Sequence, residues 1–236
     1  MAVKRYDFTF EAEGETLAAT IDYSGDIIPQ PVILSLHGGG PSGRERIAWL
    51  AELLADKNHP LMRYDHSGQG DSTGDLKKSS LKKRTAEALA AAQYLRPGSR
   101  YTLIGTSMGG HVALELLNHL PVDNLILFCP AAYAAEAFAV PFDSGFTDII
   151  RTPHSYANAT IFENLKNFTG NLLIIIGSDD AIIPPDVIDL YKESAIHGRH
   201  VEIITLDNAP HVLHGWLADH PEQRHDIFRE ILALLA

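Results

Sequence analysis

The chain has 236 residues, of which 45% are hydrophobic, and its formal net charge is −11 at pH 7. This length and apolar content suit one large α/β domain and argue against a disordered chain. An acidic chain without a dense basic stripe is also a poor binder of nucleic acid, so we expect no such partner.

The predicted elements begin with a hairpin and continue as alternating strands and helices. Polar and apolar residues alternate over residues 5–10 and 16–23 around Gly14, which predicts two antiparallel strands. Hydrophobic periodicity then predicts, in chain order, strand 32–36, helix 43–57, strand 60–64, helix 81–95, strand 101–104, helix 111–120 and strand 124–128.

The alternation stops after Pro130 and resumes near residue 171. Residues 131–167 show no long, regular period, whereas the remainder predicts strand 171–176, helix 185–194, strand 200–206 and helix 221–235. Repeated β–α units imply a largely parallel sheet with helices on both faces. Ligands of such sheets bind outside the carboxyl ends of the strands.

A Gly-x-Ser-x-Gly motif at residues 105–109 lies between a predicted strand and a predicted helix. This context is typical of a nucleophile elbow, in which the serine has a strained backbone with positive φ. Gly105 and Gly109 provide the small residues that a close approach of strand and helix requires. Ser107 is therefore a candidate nucleophile, although it would otherwise read as an ordinary helix N-cap.

A glycine-rich sequence, His37-Gly38-Gly39-Gly40, directly follows the strand at residues 32–36. Glycines let backbone N–H groups approach a ligand, and acyl transfer needs such donors for the oxyanion. We expect the N–H groups of Gly39 and Met108 to form the oxyanion hole, the alternative being a turn without a ligand. The absence of a following Gly-Lys-Ser/Thr excludes a phosphate loop.

A serine nucleophile needs a base, and the base needs an orienting carboxylate. Asp179 and Asp180 follow the strand at residues 171–176, and His211 follows the strand at residues 200–206. Their order after Ser107 is the order of an elbow-type triad. From the residues alone, Asp179 and Asp180 are both candidates for the acid. His214 remains an alternative base, and Asp207 an alternative acid that would otherwise cap its loop.

Two groups of residues could suggest a binding site, but we expect none at either. One is the basic cluster, formed by Lys77, Lys78, Lys82, Lys83 and Arg84. We expect it to be the solvated beginning of a helix whose apolar face carries Leu81, Ala88 and Leu89. The other is the set of 12 histidines. The pair His211 and His214 has neither H-E-x-x-H spacing nor a cysteine partner, so we expect no metal site.

The sequence also bears on the cellular compartment of the protein. No apolar stretch approaches the roughly 18 residues of a membrane span, and residues 1–8 lack the apolar centre of a secretory signal and instead suggest a strand. Cys129 is the single cysteine, which excludes an internal disulfide, and we interpret it as a small buried hydrophobe. We therefore expect a cytoplasmic protein without a membrane partner.

These motifs together resemble the α/β-hydrolase superfamily, and the resemblance extends over nearly the whole chain. The segment Arg63-Tyr-Asp-His-Ser-Gly-Gln-Gly-Asp-Ser72 is similar to the superfamily's D-x-x-G-x-G-x-S turn. By this resemblance Asp65, Gly68 and Gly70 shape a turn beside the site. Gly177-x-x-Asp180-x-x-Ile183-Pro184 matches the acid loop, which favours Asp180 over Asp179. The implied fold is an eight-stranded, mostly parallel sheet with helices on both faces and a small cap insertion.

Within the superfamily, the chain resembles small bacterial carboxylesterases of the cinnamoyl/feruloyl-esterase and serine-aminopeptidase-like group. The complete His-Gly-Gly-Gly is more typical of hormone-sensitive-lipase-like esterases, whose Asp-Ser-Ala-Gly elbow this chain lacks. The resemblance places the cap at residues 131–167 of a single domain spanning residues 1–236. Its aromatic residues either line a substrate pocket or form a small core of the cap, which we favour for each of them: Tyr133, Phe138, Phe142, Phe146, Tyr156 and Phe162.

The resemblance implies a serine hydrolase of small carboxylic esters that needs no cofactor. Because the candidate cap spans only residues 131–167, we expect short or compact acyl groups rather than long lipid chains. In this interpretation Ser107 attacks the ester, His211 is the base and Asp180 orients it. A thioesterase, a peptidase or a C–C hydrolase would use the same triad, and a non-catalytic binding module would have lost part of it. A homodimer is compatible with the sequence, which does not determine the oligomeric state.

Overall fold

Eight strands form one sheet in the computed structural model, which describes residues 2–236. The strands are β1 (Val3–Ala12), β2 (Glu15–Ser24), β3 (Ile33–Leu36), β4 (Leu61–Tyr64), β5 (Tyr101–Thr106), β6 (Val122–Phe128), β7 (Asn171–Gly177) and β8 (His200–Leu206). Their order in the sheet is β1-β2-β4-β3-β5-β6-β7-β8. The β1–β2 and β2–β4 pairs are antiparallel, and the remaining pairs are parallel.

Eight α-helices connect or follow the strands of the described chain. They are α1 (Ala48–Asp56), α2 (Leu81–Ala92), α3 (Met108–Glu115), α4 (Thr147–Ile150), α5 (Ile161–Lys166), α6 (Pro185–Ser194), α7 (Leu213–Asp219) and α8 (Pro221–Leu235). Short 3₁₀ turns cover Arg44–Ile47, Leu76–Lys78, Leu116–Asn118, Ala135–Ala137 and Ser155–Asn158, and an irregular helical turn covers Phe142–Phe146. No helix within residues 2–236 has the length and apolar character that crossing a membrane would require.

The sheet is buried on both faces, because its central strands send alternate side chains to two separate cores. On β6, Leu125 and Leu127 pack into the core that includes residues of α2, α3, α5 and α6. Ile126 and Phe128 pack into the opposite core with residues of α1, α7 and α8. The continuous apolar runs of these strands follow from this two-sided burial.

The segment between β6 and β7 contains short helical pieces rather than long helices. A third apolar cluster joins this segment to the body and includes Leu81, Met108, Ala137 and Phe146. The N–H of Phe142 donates to the carbonyl oxygen of Ser79 at 2.9 Å, and the N–H of Lys82 donates to that of Phe138 at 2.8 Å. The segment is thereby attached to the N-terminal end of α2, beside the start of α3.

The predicted fold class is confirmed: the sheet has eight strands, most of its pairs are parallel, and helices cover both faces. The hairpin is formed by β1 and β2, and Met1 lies outside the described residues. One helix begins earlier than predicted, at Met108 instead of residue 111. The reason is that the chain turns at Ser107 directly from the strand into the helix, with no intervening loop.

Candidate active site

Ser107 occupies the turn between β5 and α3 with φ 52° and ψ −115°. A positive φ is costly for a residue with a side chain, so the surroundings must hold it in place. A Cβ on Gly105 would lie 2.7 Å from the carbonyl oxygen of Gly109, and a Cβ on Gly109 would overlap the backbone of Leu36. The turn therefore requires glycine at both motif positions.

A hydrogen-bonded chain connects Ser107 to two residues that are far away in the sequence. Nε2 of His211 lies 3.1 Å from Oγ of Ser107, and Nδ1 of the same ring lies 2.8 Å from Oδ2 of Asp180. His211 follows β8, Asp180 follows β7 and Ser107 follows β5, so all three lie at the carboxyl edge of the parallel strands. The structure thus brings together the three residues that the sequence nominated as nucleophile, base and acid.

Asp180 is held as a carboxylate by several donors. Its Oδ1 accepts the backbone N–H groups of Ile182 at 2.8 Å and Ile183 at 3.1 Å. Burial alone would raise its pKa, but the hydrogen bonds from His211, Ile183 and Ile182 outweigh burial and lower the pKa to about 2. The neighbouring Asp179 is exposed and contacts Ser178, so of this pair only Asp180 faces His211.

His214, the alternative base, faces a different set of partners. Its Nδ1 accepts the indole N–H of Trp49 at 3.3 Å, and its Nε2 lies 2.8 Å from Oγ1 of Thr106. Burial, followed by the positive charge of Arg46, lowers its pKa to about 4, so His214 is neutral at physiological pH. Asp207 is exposed in the turn after β8, and the carboxylate that His211 contacts is that of Asp180.

Cys129 lies beside the same carboxylate. Its thiol, the Asp180 carboxylate and the His211 ring have ligand atoms within 4.8 Å of one another. Burial, together with the charge of Asp180, raises the pKa of the Cys129 thiol, which keeps it protonated. Because His211 and Asp180 already use their facing atoms for each other, this group is a poor metal site. The interpretation of Cys129 as a small buried residue agrees with this environment.

The glycine-rich loop after β3 lies directly against the elbow. A Cβ on Gly38 would lie 3.4 Å from Cβ of Ser107, and a Cβ on Gly39 would lie 3.1 Å from Cε of Met108. Met108 is the first residue of α3, where N–H groups have no partner within the helix. The two N–H groups that the sequence nominated as oxyanion donors therefore belong to backbone segments that touch each other beside Ser107.

The turn after β4, at residues 65–72, is hydrogen-bonded to the segment that contains the glycine-rich loop. The carboxylate of Asp65 accepts the backbone N–H of Arg44 at 2.6 Å, that of Asp71 at 3.0 Å and the Arg44 guanidinium. Gly70 has φ 52°, and a Cβ there would overlap the Asp65 carboxylate. Asp65 and Gly70 thus shape the turn through hydrogen bonds and close approach, with no side chain that reaches Ser107.

Arg84 differs from its sequence prediction. Lys77, Lys78 and Lys82 of the basic cluster are exposed, whereas the Arg84 side chain is completely buried. Its Nη1 donates to the carbonyl oxygen of Gly38 at 3.2 Å, and its Nη2 donates to Oε1 of Gln69. The expectation of a solvated cluster was therefore wrong for Arg84. Its spacing of three residues from Leu81 and four from Ala88 is the helical period that could have revealed its inward position.

Two clefts open on either side of Ser107. The larger one has a volume of about 500 Å³ and is lined by Tyr133, Ile150, Arg151, His154, Tyr156 and Asp186, among others. The smaller one has a volume of about 220 Å³ and lies between the loop at Gly38 and Gly39 and the segment from His211 to His214. A molecule whose reacting atom lies at Ser107 can therefore extend in two directions.

The six candidate pocket aromatics divide between cleft and core. Tyr133 and Tyr156 line the larger cleft. Phe138, Phe142 and Phe146 belong to the apolar cluster that joins the cap segment to α2 and α3. Phe162 packs edge-on against Tyr191 at 5.4 Å in the main core. The interpretation as a small core of the cap therefore describes three of the six, whereas Phe162 belongs to the main core.

The comparisons with known proteins agree with this geometry. The family model described as serine aminopeptidase, S33, matches residues 28–158, which is more than half of the chain. The chain belongs to this family of α/β-hydrolases. The match covers the glycine-rich loop, the elbow and part of the cap segment.

Two kinds of sequence relatives match part of this chain. Lysophosphatidylserine lipase ABHD12 of Bos taurus is 31% identical over 175 residues, which are 65% of this chain and 42% of the lipase. The putative carbamate hydrolase RutD of Klebsiella pneumoniae is 31% identical over 99 residues, which are 41% of this chain and 36% of that protein. This chain thus spans only about two fifths of the length of these relatives.

Solved structures share the fold over almost the whole length. Est1E from Butyrivibrio proteoclasticus, with ferulic acid bound, has a TM-score of 0.73 at 19% identity, covering 96% of this chain and 98% of Est1E. The Pyrococcus furiosus esterase Pf2001 has a TM-score of 0.71 at 20% identity, covering 98% of this chain and 91% of the esterase. At this identity the likeness concerns the fold alone.

Proposed function

We propose that this α/β-hydrolase is a serine carboxylesterase that acts on small esters of short or compact acyl groups, with Ser107, His211 and Asp180 as its catalytic triad. The proposal rests on one observation: a continuous hydrogen-bonded chain runs from Asp180 through His211 to Ser107, at 2.8 and 3.1 Å. The serine at its end is held at positive φ between two clefts. A structural serine would need neither the strained turn nor the chain of partners.

In the first step, Oγ of Ser107 attacks the ester carbonyl carbon while Nε2 of His211 takes the hydroxyl proton. The resulting imidazolium donates its Nδ1–H to the Asp180 carboxylate. Because the pKa of Asp180 is lowered to about 2, this carboxylate stays ionised and stabilises the positive charge of His211. Asp180 also fixes the tautomer that leaves Nε2 free to accept the serine proton.

The tetrahedral oxyanion that forms would be bound by the N–H groups of Gly39 and Met108. Both belong to the backbone that packs beside Ser107, and the second lies at the N-terminus of α3, where negative charge is favoured. In such sites, the loss of one donor costs about 10²- to 10³-fold in kcat.

Collapse of the tetrahedral intermediate breaks the bond to the alcohol, which leaves with the proton returned by His211. Water then attacks the acyl-enzyme with His211 again as the base, and the second collapse releases the acid and restores the Ser107 hydroxyl. Every proton and electron pair in this cycle is supplied by the ester, the water and the three side chains. The mechanism therefore uses no cofactor.

The two clefts support small esters as the class of substrate. One would receive the acyl group and the other the alcohol, and volumes of about 500 and 220 Å³ suit groups of moderate size. Relatives and structural neighbours that are named lipase, esterase or carbamate hydrolase support hydrolysis of a carbonyl compound. Thioester and amide cleavage on the same triad, and a non-catalytic role, are the alternatives that the experiment below distinguishes.

The experiment is labelling with a fluorophosphonate probe together with turnover of a p-nitrophenyl butyrate, a matched thioester and a matched anilide. We expect rapid labelling at Ser107 and the highest kcat/KM on the ester. Ser107→Ala should abolish labelling and lower ester turnover by on the order of 10⁶-fold while the thermal unfolding midpoint stays near that of the wild type. Substantial ester turnover by the folded alanine variant would contradict the proposal, and absence of labelling would indicate the non-catalytic alternative.

A further inference from the structure

Arg84 on α2 is an unusual residue for the interior of a domain. The side chain has 0% exposure, and Phe142 of the cap segment covers its guanidinium at 5.4 Å from the ring centre. Burial lowers the pKa of Arg84 to about 10, which leaves it charged at neutral pH. Within the described chain, Nε of Arg84 has no hydrogen-bond partner. Because an incompletely paired buried charge contributes little to stability, a stability role explains this arginine poorly.

The guanidinium is directed at the backbone of the glycine-rich loop. Its Nη1 donates to the carbonyl oxygen of Gly38 at 3.2 Å. Its Nη2 donates to Oε1 of Gln69, whose Nε2 in turn donates to the carbonyl oxygens of Gly40 at 2.5 Å and Ser42 at 3.3 Å. One buried cation therefore holds two points of this loop, directly at Gly38 and through Gln69 at Gly40.

His37 provides a second donor to the same carbonyl. Its Nε2 accepts the backbone N–H of His66 at 3.0 Å, which places the ring hydrogen on Nδ1. Nδ1 then donates to the carbonyl oxygen of Gly38 at 2.9 Å. Burial, followed by repulsion from His66 and Arg84, lowers the pKa of His37, which keeps this neutral tautomer. The Gly38 carbonyl is thus held from two sides by Arg84 and His37.

Because the peptide bond between Gly38 and Gly39 is planar, fixing the Gly38 carbonyl oxygen also fixes the direction of the Gly39 N–H. The carbonyl oxygen of Gly38 and the N–H of Gly39 belong to one planar peptide unit, and the described chain has no cis peptide bonds. In a trans unit the oxygen and the hydrogen point in opposite directions. Holding the oxygen toward Arg84 therefore turns the Gly39 N–H away from Arg84. Gly39 also lines the smaller cleft, together with Gly38, Ser107 and His211.

We propose that Arg84 is a positioning residue for the oxyanion hole: by holding the Gly38 carbonyl, directly and with Gln69 as a second anchor, it orients and polarises the Gly39 N–H. The inference rests on the proposed function, which makes that N–H an oxyanion donor. A hydrogen bond from a charged donor is about twice as strong as one from a neutral donor. It also draws electrons toward the carbonyl oxygen, so the N–H of the same peptide becomes a better donor.

The test compares Arg84→Lys with Arg63→Lys, a matched substitution of a second buried arginine. Arg63 is 1% exposed, pairs with Asp22 at 2.7 Å and donates to the carbonyl oxygen of Arg44 at 3.1 Å, and none of these hydrogen bonds reaches residues 37–42. Lysine keeps the charge but lacks the fork that reaches Gly38 and Gln69 together. Active sites are counted by fluorophosphonate titration, and kcat, KM and inhibition by a phenylboronic acid, whose adduct mimics the tetrahedral oxyanion, are measured for each variant.

We expect Arg84→Lys to lower kcat by about 10- to 100-fold, part of the cost of losing a complete oxyanion donor, with KM changed less than about threefold. Boronate affinity should fall in parallel with kcat. Arg63→Lys should lower the unfolding midpoint but leave kcat per titrated site and boronate affinity near the wild-type values. If Arg84→Lys does not fold, Gln69→Met, which removes the anchor at Gly40, is judged by the same parallel loss.

A kcat and a boronate affinity for Arg84→Lys within about threefold of the wild type would overturn the inference. A fall in kcat with unchanged boronate affinity would also overturn it, because the effect would then not act on the oxyanion. Ser107→Ala is measured in the same assay and separates the two proposals. Activity retained by Ser107→Ala contradicts the proposed function, whereas activity lost in Ser107→Ala but retained in Arg84→Lys contradicts only the role of Arg84.

Discussion

Nε2 of His214 lies 2.8 Å from Oγ1 of Thr106, the residue that precedes Ser107. Because the indole N–H of Trp49 donates to Nδ1 of His214, the ring hydrogen is on Nε2 and is donated to Thr106. His214 is therefore bonded to the side chain of Thr106, the last residue of β5, whereas His211 is bonded to Ser107 itself. Two histidines three residues apart have separate positions around one serine.

This difference predicts unequal effects of the same substitution on turnover. His211→Gln should lower kcat by on the order of 10⁶-fold, because it removes the base that accepts the serine proton. His214→Gln removes a buried hydrogen-bonded ring and should lower stability by about 1–3 kcal/mol, with kcat of the folded fraction reduced less than about tenfold. Steady-state turnover of p-nitrophenyl butyrate, corrected for folded protein by circular dichroism, checks this. Equal losses of kcat would leave His211 without support as the base.

The two adjacent aspartates give a second matched pair. Asp180→Asn replaces the carboxylate that faces Nδ1 of His211 and should lower kcat by about 10⁴-fold, as the loss of an orienting carboxylate does in serine proteases. Asp179 is exposed, and Asp179→Asn should change kcat by less than about twofold. The measurement is kcat/KM on one ester for both variants. A larger loss in Asp179→Asn would transfer the orienting role to Asp179.

The buried histidines also predict loss of stability in mild acid. Burial lowers the pKa of His214 to about 4 and of His111 to about 3, from 6.5 in the unfolded chain. Below pH 6.5 the unfolded chain binds protons that these folded rings refuse, so stability falls as the pH drops from 6.5 toward 4. His214 alone should cost about 2 kcal/mol between pH 7 and pH 5.

Urea denaturation at these two pH values measures that cost. His214→Gln should be less stable than the wild type at pH 7 but lose less further stability on acidification, because it has no ring to protonate. His225→Gln, at an exposed histidine, is measured at the same two pH values as the control for the substitution itself. An unaltered acid response in His214→Gln would mean that protonation of this ring is not linked to unfolding.

The sheet and the elbow were predictable because their signals are local. The helix at residues 185–194 and the strand at residues 200–206 have the bounds predicted from periodicity. Gly105, Ser107 and Gly109 were interpretable because strand, turn and helix are consecutive in the sequence. The order of the loops along the sheet edge nominated His211 and the pair Asp179 and Asp180, and the resemblance to the superfamily's acid loop then favoured Asp180.

Other features depend on contacts between distant segments, and local patterns cannot reveal them. The Lys-Lys-Arg sequence at residues 82–84 resembles a solvated helix start. Arg84 is nevertheless buried, and its hydrogen-bond partners, Gly38 and Gln69, belong to two other loops. The resemblance already favoured His211 over His214, but the partners of His214, which are Trp49 and Thr106, come from distant segments that the sequence does not connect to it. The cap segment has no period because its short turns pack on α2 and α3 through single side chains such as Phe146.

The two clefts beside Ser107 limit the acyl length that we expect the protein to accept. The smaller cleft has a volume of only about 220 Å³. The larger one has apolar walls, among them Ile150, Ile183 and Val187, but Arg151, His154 and Asp186 interrupt them. Each methylene buried in an apolar channel would add about 0.8 kcal/mol, or about fourfold in kcat/KM. We expect this gain to stop at about six carbons, because further methylenes would meet charged side chains or solvent.

A p-nitrophenyl ester series from acetate to palmitate measures the profile with a constant leaving group. Arg151→Leu serves as the matched variant, since it replaces a charged wall of the larger cleft by an apolar one. If that cleft receives the acyl chain, the variant should raise kcat/KM for octanoate relative to butyrate. If the smaller cleft receives it, the ratio should stay unchanged. A maximum at laurate or beyond in the wild type would contradict the prediction, because it would require a long apolar channel and a lipase-like specificity.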